Sequence, residues 1–178
     1  AGIVQHALRD TDAAGRPVPT RLPRWPAYYE LADYLDGRFE LAAASGLAFR
    51  THILRQILPM PLDIAFASDA HLITDALLLT KARNLPRMLG YHRLHGDNNW
   101  AGFYASARKL ETVIEVRKAL RHHLLPRLRS TGLDYSPFFR QVEDMEDQRY
   151  EIFLAMRRGR RDEAFRLWRE HGRRFRKT

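Results

Sequence analysis

The sequence predicts a helix-rich α/β fold in which a region of mixed strands and helices precedes a helical one. Residues Ile3 to Leu8 have the apolar, partly β-branched composition of a strand. After Trp100, apolar residues recur three or four positions apart, as they do along Val113, Val116 and Leu120 of an amphipathic helix. A chain of 178 residues can bury one good core, so we expect one domain with a helical appendage.

Composition narrows the classes of protein further. With 45% apolar and 29% charged residues, the chain is neither disordered nor membrane-spanning, and apolar runs such as Ala76 to Leu79 are far shorter than the roughly 20 residues of a spanning helix. Cysteine is absent, which excludes disulfides and thiolate metal sites, and no secretory signal is visible. The net charge of +9 suits an anionic partner: nucleic acid, a phospholipid surface or a nucleotide diphosphate.

The first part of the chain contains turn and helix signals. Asp10 to Pro19 carries the Asp, Gly and Pro of a turn, and Pro17 to Pro26 predicts an extended connection. The carboxylates of Asp10 and Asp12 could share a divalent cation, but turn chemistry is the favoured explanation. The spacing from Pro26 to Asp36 predicts an amphipathic helix that stops at Gly37.

Further elements follow in order. Ser45 and Gly46 predict a tight turn before a helix from Phe49 to Leu58, and Leu85 to Leu89 reads as a short buried segment. Ser68 and Asp69 precede the apolar run Leu72 to Leu79, so Asp69 is a good N-cap for a helix there. Asp75 lies on a different face of that helix, where we expect it to be solvated.

Two histidine pairs differ in what they allow. His92 and His95, three residues apart, could bind one metal ion from a loop, although such a pair alone is more often structural. His122 and His123 are adjacent on a helix, point in different directions and are not a metal pair.

The last third of the chain predicts three helices. The first is expected to break at Pro126, the second to end near Gly159, and the third to be capped by Asp162. Their apolar stripes are packing surfaces more often than ligand sites; the stripes are Leu110 to Leu124, Phe138 to Met156, and Phe165, Trp168 and Phe175. Arginines from Arg157 onward could contact an anionic membrane or a nucleic acid, but a solvated face is the commoner explanation.

Four segments carry a family resemblance: Ala44-Ser-Gly-Leu-Ala-Phe-Arg50, Ile57-Leu-Pro-Met-Pro61, Phe66-Ala-Ser-Asp-Ala-His71 and Leu89-Gly-Tyr-His-Arg-Leu-His-Gly-Asp-Asn-Asn-Trp100. In order and spacing they resemble the C-terminal half of a family-2 inverting glycosyltransferase with the GT-A fold. The match reaches back to Ile3-Val-Gln-His6 and Asp12-Ala-Ala-Gly15 and covers roughly the first hundred residues. It departs from the family at His92, where an aromatic residue is usual, and at Leu47, where a polar one is frequent.

The resemblance implies an organisation and a set of site residues. Residues 1–103 would be the C-terminal part of a GT-A-like catalytic domain, and residues 104–178 a helical extension with a basic C-terminus. Asp69 would be the general base that deprotonates an acceptor hydroxyl, and Ser45 and Gly46 would lie near the acceptor and the sugar. Arg93 and His95 would lie near the donor diphosphate, with His95 also a ligand of Mg²⁺ or Mn²⁺.

The implied activity transfers a sugar from a nucleotide-diphosphate donor to a saccharide or lipid-linked acceptor, in the cytoplasm and conceivably at the inner face of the membrane. The chain starts at Ala1 without methionine, and neither nucleotide-binding strands nor a convincing Asp-x-Asp is found. We therefore expect a fragment that is inactive by itself. The alternatives are a basic helical module for nucleic acid, which is the less favoured partner, and a non-catalytic interaction module.

Overall fold

The structure, a computed structural model, describes residues 1–38, 40–64, 67–95, 106–138 and 144–175. It divides into two compact units, Ala1–Ala101 and Gly102–Thr178. The first unit combines a mixed four-stranded sheet with helices, and the described part of the second unit is helical. The predicted helix-rich α/β class is confirmed.

The sheet of the first unit has the strand order β2-β4-β1-β3. Strand β1 (Ile3–Thr11) lies between two partners, pairing in parallel with β4 (Ala82–Arg93) and antiparallel with β3 (Leu47–Phe49). Strand β2 (Tyr28–Tyr29) is antiparallel to β4 on its other side. The strand predicted at Ile3 to Leu8 is therefore confirmed, and it forms part of the centre of the sheet.

The pairing of β1 with β4 shifts register twice, on either side of Ala7. Ala7 pairs with Met88, whereas the residue before it pairs with Leu85 and the residue after it with Gly90. Pro86 lies in the interval and has no backbone N–H to donate to a ladder, so a bulge forms there. The segment from Leu85 to Leu89 is not buried as predicted, because Leu89 projects into solvent with 56% of its surface exposed.

Among the described residues of this unit, three α-helices accompany the sheet: α1 (Leu31–Leu35), α2 (Thr51–Ile57) and α3 (Ser68–Leu77). The helix predicted from Pro26 to Asp36 is shorter than expected, because Tyr28 and Tyr29 pair with β4 instead. Its predicted end is confirmed, since Gly37 takes a φ of 69° directly beyond the cap. The apolar core joins both sheet and helices through Ile3, Tyr29, Ile53, Ile57, Ile73, Ala76, Leu77 and Ala82.

The second unit comprises α4 (Ala107–Thr131), the short α5 (Ser136–Phe138), α6 (Asp144–Arg157) and α7 (Arg161–Phe175). Pro126 lies inside α4, so the predicted break is wrong. Leu124 and Leu128 are buried on either side of it, and their packing holds the helix together across the missing hydrogen bond. Helix α4 ends instead at Gly132, which has a φ of 69°.

The ends of the last two helices follow the predictions closely, but their outer faces do not. Gly159, with a φ of 73°, stands beyond the end of α6 as predicted. Asp162 is in the first turn of α7, which begins two residues earlier than a cap at Asp162 requires. Phe165 and Trp168 are exposed, contrary to the predicted packing stripe. Within the described ranges, no helix combines the length and apolar content needed to cross a bilayer.

Candidate functional site

The parallel pairing of β1 and β4 brings their carboxyl ends to one edge of the sheet. At this edge Asp10 stands beside His92, and Thr11 stands beside Arg93. The imidazole Nδ1 of His92 lies 3.0 Å from Oδ1 of Asp10, with both side chains about one-third exposed. We did not predict this contact from the sequence, because no local signal links residues 82 positions apart.

The loop predicted around His92 is partly strand. Residues up to Arg93 belong to β4, and the N–H of Leu94 still donates to the carbonyl of Thr11 at 2.8 Å. Since Nδ1 of His92 contacts Asp10, that atom is not available to form a metal pair with His95. Residues 96–100 of the same cluster, and Phe66 of the cluster before it, lie outside the described residues.

Asp12 belongs to the turn, as predicted. Its Oδ1 accepts the backbone N–H groups of Ala14 and Arg16, both at 2.9 Å, and its Oδ2 accepts Nε of Arg16 at 2.7 Å. The backbone and guanidinium of Arg16 lower the pKa of Asp12, because both stabilise the charged carboxylate. Asp12 and Asp10 thus have different partners and do not converge on a cation.

Ser45 and Gly46 form a 3₁₀ turn, Ala44–Gly46, immediately before β3, which confirms the predicted turn. Gly46 is buried against β1, where a Cβ would stand 2.6 Å from the backbone oxygen of His6. Only glycine allows the turn to approach the strand this closely.

A buried glutamine that sequence reasoning missed fixes the segment before this turn. Gln5 is fully buried, donates Nε2 to the carbonyl of Glu40 at 3.0 Å and accepts the N–H of Ala42 at 3.2 Å. The signal available in the sequence was its position: Gln5 alternates with Ile3 and Ala7 on the inward face of β1. A polar residue at an inward position must find partners, and here they are backbone groups.

Asp69 lies in the first turn of α3 and is half-buried. The N-cap residue is Ala67, with a φ of 60°, so the prediction that Asp69 is itself the cap is wrong by two positions. Asp69 nevertheless satisfies one backbone N–H at the amino end of the helix, because its Oδ1 accepts the N–H of Ala70 at 2.9 Å. Among the described residues, Oδ2 of Asp69 has no hydrogen-bond partner, and no hydrogen bond or ion pair joins Asp69 to Ser45, Arg93 or His95.

The direction of α3 sets the position of Asp69 along the sheet. The helix leads into β4 within four residues, so the chain reverses and the amino end of α3 points toward the carboxyl end of the strand. Ile73 and Leu77 pack with Ile3 and Ala82, so the last turns of α3 cover the beginnings of β1 and β4.

The turn at Gly46 lies against β1 at His6. Arg93, opposite Thr11, stands about five strand residues further along, or roughly 15 Å. The candidate residues thus lie on different elements: Asp69 is in the first turn of α3, Ser45 and Gly46 form the turn against the middle of β1, and exposed Arg93 and His95 lie at the carboxyl edge of the sheet.

Asp75 is not the solvated residue that we predicted. It is buried on α3, and its Oδ2 lies 3.4 Å from Nε2 of His71, which is also buried. The prediction correctly placed Asp75 on a different face from Asp69. The prediction that Asp75 is solvated failed because α1, α2 and the sheet core all pack against α3. The carboxyl half of α3 is therefore enclosed on almost every side.

A divalent cation requires several converging oxygen or nitrogen ligands. In the described part of the chain, no three His, Asp or Glu side chains lie close enough to hold a metal ion. His95 is the ligand that the family resemblance implies, and the described residues do not complete a site around it.

Comparisons with protein-family models, curated proteins and solved structures find no match to this chain.

Proposed function

We propose that this chain is the acceptor-side part of a family-2-type glycosyltransferase with a GT-A-like fold. The observation that supports the proposal most is the hydrogen bonding and burial of the Asp69 carboxylate. One carboxylate oxygen is held by the N–H of Ala70, and the other has no hydrogen-bond partner among the described residues. The carboxylate is half-buried at the amino end of α3.

Such a carboxylate suits a general base. Its fixed Oδ1 orients the group, and Oδ2 can accept the proton of an acceptor hydroxyl placed within hydrogen-bond distance. As that proton moves to Asp69, the hydroxyl oxygen bonds to the anomeric carbon of the donor sugar. The bond from that carbon to the diphosphate oxygen breaks, and the nucleotide diphosphate leaves with the electron pair.

The remaining candidates have supporting roles. In the Ser45-Gly46 turn Gly46 is buried but Ser45 is exposed, so the Ser45 hydroxyl is a group that a sugar or acceptor could contact. Arg93 offers a guanidinium fork and His95 an imidazole at the exposed carboxyl edge, both suited to a diphosphate. The family resemblance also implies Mg²⁺ or Mn²⁺, for which the described residues do not complete a site.

The experiment compares Asp69→Asn with Asp36→Asn, an exposed carboxylate of the same unit that pairs with Arg38. Both are made in the protein extended upstream by the nucleotide-binding half that the resemblance implies, and turnover is measured with nucleotide-sugar donors. Asp69→Asn should lower kcat about 10²- to 10⁴-fold with little change in donor KM, because a general base acts in the transition state. Asp36→Asn should leave both constants unchanged.

The same assay separates the roles of the two groups of residues. Arg93→Ala and His95→Ala should raise the donor KM more than they lower kcat, because they would bind the diphosphate in the ground state as well. Near-normal turnover by Asp69→Asn would remove Asp69 from the base role and leave it as a helix-terminal residue. Absence of turnover in the extended parent protein would favour the non-catalytic interaction module.

A further inference from the structure

Four large apolar side chains project outward from the hairpin of α6 and α7. Their exposed fractions are 39% for Phe153, 58% for Met156, 58% for Phe165 and 52% for Trp168. The two helices run antiparallel, since a short turn joins them and His171 near the end of α7 contacts Gln148 near the start of α6, with Nδ1 3.1 Å from Oε1. We call these four residues the apolar face of the hairpin.

Helix α7 is amphipathic, but its large apolar residues are on the outside. Ala164, Leu167 and His171 form the less exposed side. At about 100° per residue, Phe165 and Trp168 share an arc of roughly 100° with Arg161 and Arg169. The two aromatic rings stack with centroids 5.8 Å apart, and the guanidinium of Arg169 lies 5.8 Å from the Phe165 ring. Ala164, Leu167 and His171 thus pack inward, while aromatic and basic residues face out together.

The surroundings of the apolar face are strongly basic. From Arg157 to Phe175 the sequence contains eight arginines and three acidic residues. Two of the acids are paired, Glu163 with Arg160 and Glu170 with Arg166. In the part of the chain that the structure describes, the exposed residues Arg149, Arg161 and Arg173 have no ion-pair partner. These arginines leave uncompensated positive charge beside the exposed aromatic rings.

A groove of about 490 Å³ lies along the hairpin beside this surface. Its lining is mainly apolar, from Ile152, Phe153 and Trp168, with Arg149 and His171 as the basic members. Burial and the nearby charge of Arg149 lower the pKa of His171, so the imidazole is neutral at pH 7. The groove therefore has an apolar floor and a permanent cation at one side.

We propose that the hairpin of α6 and α7 docks onto an anionic phospholipid bilayer through the apolar face and the arginines around it. Aromatic side chains favour the interface between headgroups and acyl chains, and arginines bind anionic headgroups while their stems contact apolar surface. A nucleic acid would use the arginines but has no need of exposed Phe153 and Met156. The combination of both features favours the bilayer, and this inference is independent of the proposed transferase activity.

The test is co-sedimentation of the full chain with lipid vesicles. The chain should sediment with vesicles of phosphatidylcholine and phosphatidylglycerol at a ratio of 70:30 and much less with phosphatidylcholine alone. The double variant Phe165→Ala and Trp168→Ala should bind at least about tenfold more weakly, because it removes apolar area that enters the interface. The double variant Arg161→Gln and Arg169→Gln should lose about fivefold per arginine, and adding salt should weaken its binding less than that of the parent chain.

Matched variants come from the first unit, where Leu62→Ala removes a fully exposed apolar side chain and Arg87→Gln an exposed arginine. Both should bind like the parent chain. Circular dichroism checks that the hairpin variants keep their helices, as expected for exposed positions. Failure to bind anionic vesicles, or binding that the aromatic double variant leaves unchanged, overturns the proposal. Binding to a DNA duplex in place of vesicles overturns it in favour of a nucleic-acid surface.

Discussion

Buried polar groups in the first unit bind mainly backbone, whereas polar groups in the second unit pair with one another. In the first unit Gln5 contacts the backbone of Glu40 and Ala42, and Nδ2 of Asn84 donates to the carbonyl of Pro26 at 2.6 Å. In the second unit Nη1 of Arg117 contacts Oε2 of Glu146 at 3.0 Å, and its Nε contacts Asp147. The first unit should thus be sensitive to changes of shape, and the second also to changes of charge and salt.

The two units also differ in whether their large apolar side chains are buried or exposed. Residues of the sheet and of α3, such as Ile3 and Ile73, are almost fully enclosed. In the last two helices, small residues such as Ala155 and Ala164 are enclosed, while Phe165 and Trp168 face solvent. Large side chains stabilise the first unit by burial, whereas those of α7 are available for an external partner.

The largest expected effect distinguishes these two kinds of apolar residue. Ile73→Ala should lower the free energy of unfolding by about 2–5 kcal/mol, because Ile73 is 1% exposed and its removal leaves a cavity. The matched variant Phe165→Ala should change it by no more than about 0.5 kcal/mol. Urea denaturation, with hydrogen exchange to follow each unit, measures both. Equal losses would mean that Phe165 stabilises the fold and does not serve an external surface.

A smaller loss of stability is expected at Gly46, where the turn approaches β1. Gly46→Ala should cost about 1–3 kcal/mol, because the new Cβ would be 2.6 Å from the backbone oxygen of His6, which cannot rotate away. Ser45→Ala, at the preceding position of the same turn, should change stability by no more than about 0.5 kcal/mol. If Gly46→Ala were as stable as the parent chain, the close contact between the turn and β1 would be wrong.

Local sequence signals predicted the parts of the fold that local chemistry determines. Strand β1, the turn at Asp12 and the helix ends at Gly37 and Gly159 each depend on residues within a few positions of one another. The turn at Gly46 and the helix beginning near Asp69 were predictable for the same reason.

Features that depend on distant residues could not be predicted in this way. The apolar residues from Tyr28 onward have helical spacing. Tyr28 and Tyr29 nevertheless pair with the edge of β4, which lies more than 50 residues later in the sequence. The contact between Asp10 and His92 follows from the parallel register of β1 and β4. Periodicity showed that α7 is amphipathic but not that its aromatic side faces outward, because Ala164, Leu167 and His171 provide its inner side.

In the second unit, removing a charge should cost more stability at a partly buried ion pair than at an exposed one. Arg117→Met should cost about 1 kcal/mol, because its guanidinium contacts Glu146 and Asp147 and lies 5.3 Å from the Tyr150 ring. Arg166→Met should cost little, since its pair with Glu170 is largely exposed. Thermal unfolding at low and at high salt measures the two losses. Equal losses for both variants would contradict the role given to the partly buried cluster.

The smallest expected effect is a pH dependence from His171. Burial, and then the charge of Arg149, lower its pKa in the folded chain below the ordinary value of 6.5. The unfolded chain therefore binds the proton more tightly, so stability should be complete above pH 6.5 and should fall as the pH drops toward the lower folded pKa. Unfolding of the parent chain and of His171→Gln should be compared at pH 7.5 and 5.5, since other groups titrate equally in both. The parent chain should lose more stability than the variant, and the same loss in both would show that His171 is solvated in the folded chain.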